Sequence, residues 1–226
     1  MLIGISGMIS CGKSTLIHKL VSHYKDQCLF LDEYEEDDEV FNTFLKWLYE
    51  GKKNISLGLQ TYVVENHLWR VNNVLDTFEK RNMKQNENFV FIDRFILEHY
   101  IFAHVNFQNA NSKYFSAYQK AFEEAVTKKE LPDFVIYLDL DFETFQKRIF
   151  KRGRKVEIEN FNQNKEYFEV LLNAYKQNFT KLCDKFGVPY ITLNTINLDE
   201  TQVLVKVISV LEEFKNKQNL NMKVEQ

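Results

Sequence analysis

The chain has 226 residues, 45% of them apolar, and a formal charge of −3. That length fits one α/β domain with a core of its own, and the near-balanced charge excludes an overall pull toward nucleic acid polymers or anionic membranes. Cys11, Cys28 and Cys183 are odd in number and widely spaced, with no C-x-x-C pair, which excludes a disulfide framework or a zinc ribbon and points to a reducing, cytoplasmic setting.

The opening MLIGISGMIS is apolar but lacks a basic leading segment, so LIGIS (2–6) reads as a buried strand instead of part of a signal peptide. No other segment approaches the ~18 apolar residues of a membrane helix, and a soluble protein is expected. Directly after the strand, GMISCGKST (7–15) fits G-x-x-x-x-G-K-[ST]. A helix follows from Lys13, marked by Leu16, Leu20, Val21 and Tyr24. In that context the backbone of Gly7, Met8, Ile9, Ser10, Cys11 and Gly12 wraps phosphates, Lys13 reaches the β and γ oxygens, and Ser14, followed by Thr15, ligates magnesium. A chance glycine-rich turn would not need the strand before it and the helix after it, so a bound nucleoside triphosphate, ATP or GTP, is expected.

CLFL (28–31) is the second predicted strand, and DEYEEDDE (32–39) follows, with seven acidic residues in eight. Like charges in sequence mostly form a solvated loop. A carboxylate at its start would nevertheless sit at the catalytic edge as a base for a substrate hydroxyl, with Asp32, Glu33 and Glu35 all in contention. Helical spacing then covers 39–50 and 57–82. FVFID (89–93) is the third strand, and Asp93 with Arg94 at its end brings a carboxylate for magnesium and a guanidinium for the reacting oxygens to the same edge. An ordinary ion pair is the bland alternative there.

After a helical region at 98–128 and the strand FVIYLDL (134–140), RIFKRGRKVE (148–157) gathers Arg148, Arg152 and Arg154, three of the six arginines, around one glycine. This predicts a mobile basic lid over the transferring phosphate, against a solvated helix end favoured by the macrodipole. A helix at 160–186, the strand PYITLN (189–194) and a polar, frayed tail at 216–226 complete the chain. The strands are near-continuously apolar, which predicts buried parallel strands. The expected fold is a single α/β domain over 1–215: a three-layer sandwich with a central five-stranded parallel sheet flanked by helices, the lid, and ligands at the carboxyl edge.

Together these pieces resemble the deoxyribonucleoside kinase family along nearly the whole chain. That family, with a P-loop kinase fold, has a glutamate after the second strand, a Tyr eleven residues before a Gln, an acidic-Arg pair ending the third strand and an arginine-rich lid with a glutamate. Here these are Glu33, Tyr49 and Gln60, Asp93 and Arg94, and Arg148, Arg152 and Arg154 with Glu157. The resemblance implies that Glu33 is the base for a 5′-hydroxyl, that Tyr49 and Glu157 hold the 3′-hydroxyl and that Gln60 pairs with the base. It further implies magnesium between Ser14 and Asp93, lid arginines on the phosphates of ATP, a deoxyribonucleoside acceptor in nucleoside salvage, and a homodimer.

Three departures bear on it. The family's Glu-Pro-Val reads Glu33-Tyr34-Glu35, which keeps Glu35 open as the base, and its Ser after the Arg is Phe95. Two positions that resemble Arg and Asp in purine- and cytidine-type members are His67 and His99. Two imidazoles there could read a base edge and change charge with pH; ordinary packed histidines are the alternative. Thymidine-type members carry apolar residues at both positions, so the resemblance leans to a purine deoxynucleoside, deoxyadenosine or deoxyguanosine.

Two other readings stay open at this level. A thymidylate-kinase-like nucleotide kinase shares the loop, an Asp-Arg-Tyr motif and an arginine lid, but needs a cation where Phe30, Leu31 and Asp32 stand; Arg70 could serve either kinase. A non-catalytic nucleotide-binding module would have little use for the lid or for the Tyr49 and Gln60 pair.

Overall fold

The computed structural model describes residues 1–33, 37–108 and 110–224. In chain order the elements are β1 (Leu2–Ser6), α1 (Lys13–Tyr24), β2 (Cys28–Leu31), α2 (Glu39–Tyr49), α3 (Ser56–Lys80), β3 (Phe89–Asp93) and α4 (Ile96–Asn106). There follow α5 (Ser112–Ala125), β4 (Phe134–Asp139), α6 (Phe142–Arg152), α7 (Lys155–Glu159), α8 (Phe161–Phe186), β5 (Tyr190–Asn194) and α9 (Glu200–Val224). The five strands form one parallel sheet in the order β2-β3-β1-β4-β5. The chain leaves β1 for one side of the sheet and later crosses to the other, so the crevice at the carboxyl end of β1 is a topological switch point.

Strand parity separates the two helical layers, because successive side chains point to opposite faces. Phe134 of β4 stacks on Phe214 of α9, with ring centroids 4.5 Å apart, whereas Tyr137, of opposite parity, stacks on Phe179 of α8 at the same distance. Apolar residues from both layers, such as Ile17, Leu20 and Leu211 or Phe168, Leu171 and Phe179, are essentially inaccessible. The three-layer architecture expected from the sequence is therefore present.

The details depart from expectation in four places. The inner strands β1 and β3 are wholly buried, but the outer strands are not: Phe30 on β2 is 41% exposed and Thr192 and Asn194 on β5 face solvent. An edge strand has a neighbour on one side only. The helical region at 98–128 is two helices, α4 and α5, with Asn111 capping the second through the Lys113 N–H. The basic segment breaks at Gly153, whose φ of +77° ends α6 in the left-handed region. Finally, α9 continues to Val224, past residue 215 where a frayed tail was expected.

Candidate active site

The loop after β1 takes its shape from two glycines. Gly7 has φ of +141°, and a Cβ there would lie 2.7 Å from both the Leu138 carbonyl oxygen and Cys11 Sγ; Gly12, at φ +103°, starts α1. The open N–H groups of that helix end make an anion site. Lys13 is buried and curls back over the loop, donating to the carbonyls of Gly7 (3.3 Å) and Met8 (3.4 Å), with its Nζ 3.8 Å from Asp93 Oδ1. Parallel pairing aligns Ile5 of β1 with Asp93 of β3, and Ser14 Oγ donates to Asp93 Oδ2. Burial pushes the Asp93 pKa up, against the opposing charge of Lys13.

Arg94 follows with an unusual backbone for a non-glycine residue, φ +68°. Its buried guanidinium is held on several sides. Nε donates to Glu33 (2.7 Å), Nη1 donates to Glu98 (2.9 Å) and meets the Tyr175 hydroxyl, and Cζ lies 4.6 Å over the Phe102 ring. Glu98, fully inaccessible, is the hub of this cluster. Its Oε2 also accepts from Tyr175 Oη (2.8 Å) and the Gly7 N–H (3.3 Å), while Oε1 accepts from the Phe95 N–H (3.1 Å). One carboxylate thus joins the phosphate loop to Arg94. Sequence reasoning missed Glu98 and Tyr175. The signal for Glu98 was a single carboxylate four residues after Arg94, in an otherwise apolar helix start.

Of the three candidate bases, Asp32 is 44% exposed and pairs with His18 at 3.6 Å. Glu35 lies outside the described residues. Glu33 reaches the site: burial opposes its ionisation, but Arg94 and Lys13 outweigh that and hold its carboxyl well below the usual carboxylate range.

Two cavities meet at this point. The first, with about 920 Å³ of atom-free space including its open mouth, is lined by Tyr49, Gln60, His67, Arg94, His99 and Glu157 among others. Gln60, His67 and His99 are buried, and Gln60 Oε1 and both histidine Nε2 atoms have no hydrogen-bond partner among the described residues. Burial lowers the His67 pKa and pushes that of His99 down to about 3. Both rings are neutral at physiological pH, which corrects the expectation of a pH-responsive charge. Tyr49 and Glu157 are buried together, and burial with the neighbouring Glu157 charge raises the Tyr49 phenol. Arg70, buried on α3, lines neither cavity.

The second cavity, about 1590 Å³ with its open side, runs over Ser10, Cys11, Gly12, Lys13, Ser14 and Thr15 to the start of α9. Here the three arginines, expected to act as one lid, divide. Arg148 donates to the Cys11 carbonyl (2.8 Å) and to the carbonyl of Thr195 (2.7 Å), bracing the loop against the end of β5. Arg152 and Arg154 instead grip Glu157, the latter at 3.3 Å. Glu33 and Arg152 line both cavities.

A phosphate loop, a lysine and a carboxylate-arginine cluster at the junction of two cavities define a P-loop phosphotransferase with a separate acceptor slot. The chain belongs to the deoxynucleoside kinase family, which it matches over residues 3–223. It is similar to the deoxyadenosine kinase of Lactobacillus acidophilus, 29% identical with 94% of each chain covered. It is also similar to the deoxyguanosine kinase of Lactobacillus johnsonii, 27% identical over 93% of this chain and 92% of that one. Among solved structures it superposes on deoxyadenosine kinase from M. mycoides with bound dATP, with a TM-score of 0.69, 25% identity, and 94% of this chain and 99% of that one covered. The protein is therefore a nucleoside kinase, and the non-catalytic reading is set aside. No helix among the described residues is long and apolar enough to cross a membrane.

Proposed function

We propose that this kinase transfers the γ-phosphoryl of ATP to the 5′-hydroxyl of a purine deoxyribonucleoside, in the cytoplasm and as a homodimer. The observation that carries the reading is Glu33, an ionised carboxylate held by Arg94 where donor and acceptor cavities meet. Glu33 takes the proton of the 5′-hydroxyl, the freed oxygen attacks the γ-phosphorus, and ADP leaves. Lys13 and Arg152 stabilise the charge on the transferring group, while Arg94 fixes the carboxylate. Ser14 Oγ and Asp93, hard oxygen donors side by side, suit magnesium, which when bound would neutralise charge on the phosphate oxygens. Tyr49 and Glu157 hold the sugar 3′-hydroxyl, and Gln60, His67 and His99 face the base. Arg154 completes the lid through Glu157. Arg148 acts from the loop it braces.

A nucleoside is favoured over a nucleotide because each guanidinium lining the acceptor cavity already faces a carboxylate, Arg94 with Glu33 and Glu98, Arg152 and Arg154 with Glu157, although Arg94 Nη2 has no hydrogen-bond partner among the described residues. The purine preference rests on the relatives named deoxyadenosine and deoxyguanosine kinase. An ATP-consumption panel over the four deoxyribonucleosides and dTMP tests it. Turnover with a purine deoxyribonucleoside is expected; phosphorylation of dTMP and of no nucleoside would reverse the reading.

A further inference from the structure

The base-facing part of the acceptor cavity lies between α3 and α4, whose polar residues there repeat every seven positions. α3 contributes Gln60 and His67, α4 contributes His99 and Asn106, and seven residues make two turns, about 10.5 Å of rise. The helices run antiparallel at this point. His67 and His99 meet with ring centroids 4.9 Å apart, and Ser56 at the start of α3 donates to the Asn106 carbonyl at the end of α4. Two imidazoles thus bound one end of the slot and two amides the other. Gln60, His67 and His99 are only 2%, 5% and 7% exposed, yet Gln60 Oε1 and both Nε2 atoms lack partners among the described residues. A native core rarely leaves such groups unpaired unless a ligand or an ordered water takes them.

None of these groups has a fixed polarity. An amide exchanges donor and acceptor by rotating half a turn, and a neutral imidazole offers Nε2 as either by moving its proton to Nδ1. Burial keeps both rings neutral. Of the charged groups of the same cavity, Arg94 pairs with Glu33 and Glu98 through Nε and Nη1 while its Nη2 has no hydrogen-bond partner among the described residues, Arg152 pairs with Glu157, and Asp38 accepts from the Phe41 N–H and the side chains of Tyr62 and Asn66.

Resting on the purine-kinase reading above, we infer that the slot accepts 6-amino and 6-oxo purine deoxyribonucleosides alike, because every group at its base-reading end can reverse its hydrogen-bond polarity. Adenine offers a donor at the 6-amino group and an acceptor at N1; guanine offers the opposite, an acceptor at O6 and a donor at N1. A carboxylate or guanidinium would match one and face the other with a like group, a loss of about 10²-fold for a buried unpaired atom.

The test is kcat/KM for deoxyadenosine and deoxyguanosine at pH ~8 with the wild type, His99→Asn and His99→Asp. The wild-type values should lie within about tenfold of each other. His99→Asn keeps a reversible polarity and should lower both together; His99→Asp, a fixed acceptor when ionised, should shift the ratio toward one of the two purines by about tenfold or more. A wild-type preference beyond ~100-fold for one purine overturns the inference, as does an equal change of ratio in both variants. Thermal unfolding checks each fold, and the same pair of substitutions at His67 replaces them if Asp at 99 does not fold. Wild-type activity confined to pyrimidine deoxyribonucleosides also overturns the inference while leaving the kinase reading intact. The kinase reading itself fails separately, if no deoxyribonucleoside is consumed.

Discussion

Glu33 is 30% exposed at its side chain, ionised, and tied to Arg94 through one short hydrogen bond. Replacing it with Gln removes the proton acceptor but keeps the shape, so kcat should fall about 10² to 10⁴-fold while nucleoside KM barely moves; full turnover would sink the assignment. The pH dependence has a definite sign. The pKa of Glu33 is depressed in the fold, so it stays ionised as pH falls, and kcat/KM should show no limb from Glu33 between about pH 5 and 8. A limb in that window that vanishes in Glu33→Gln would contradict this. Gly7→Ala makes the opposite kind of test, of backbone. The new Cβ would meet the Leu138 carbonyl at 2.7 Å in a left-handed conformation, so nucleotide affinity measured by calorimetry should drop by tenfold or more, ~1.4 kcal/mol.

Among the elements, the start of α4 links the phosphate loop to Arg94 and the cavity it lines. Glu98 is its instrument, bonded at once to the Gly7 N–H, Arg94 and Tyr175. Glu98→Gln leaves Arg94 with one carboxylate fewer in a fully buried place, and breaking such a pair costs about 3–5 kcal/mol. Urea unfolding should show that loss, and kcat should fall with it because Glu33 and the loop lose a common anchor. A variant with wild-type stability and kcat would show that the hub is dispensable. The arginine-rich segment divides into two parts: Arg148 on α6 is fixed to the loop, whereas Arg152 and Arg154 flank the Gly153 break and hold α7 through Glu157.

For the whole molecule, acid stability should report the two buried histidines, His67 and His99. His67 and His99 are neutral in the fold, but an unfolded chain protonates histidine near 6.5. Stability is therefore full above ~6.5 and falls as pH drops through that value toward the folded pKa, about 3 for His99. The slope is about 1.4 kcal/mol per pH unit for each histidine. Unfolding free energies measured from about pH 7 to 5 should show it, and His99→Asn should remove one proton's worth. An unchanged slope in that variant would mean that His99 is not held neutral.

The sequence by itself determined the fold class and the phosphate loop, since both depend on local rules: apolar runs of strand length, helical spacing between them, and glycines where the backbone turns left-handed. It also named Asp93 and Arg94 and put Asp32, Glu33 and Glu35 in contention, because charged residues just past a buried strand emerge at the carboxyl edge, and it singled out Arg148, Arg152 and Arg154 by their gathering around one glycine. Only the tertiary structure decided which of Asp32 and Glu33 reaches the junction, that Arg148 parts from Arg152 and Arg154, and that Glu98 and Tyr175 join the site. It also decided that His67 and His99 are neutral and face each other. Those outcomes depend on residues far apart in the chain, 77 positions between Glu98 and Tyr175, and on burial. Periodicity along a sequence encodes neither, since desolvation and charge pairing exist only once the layers have closed.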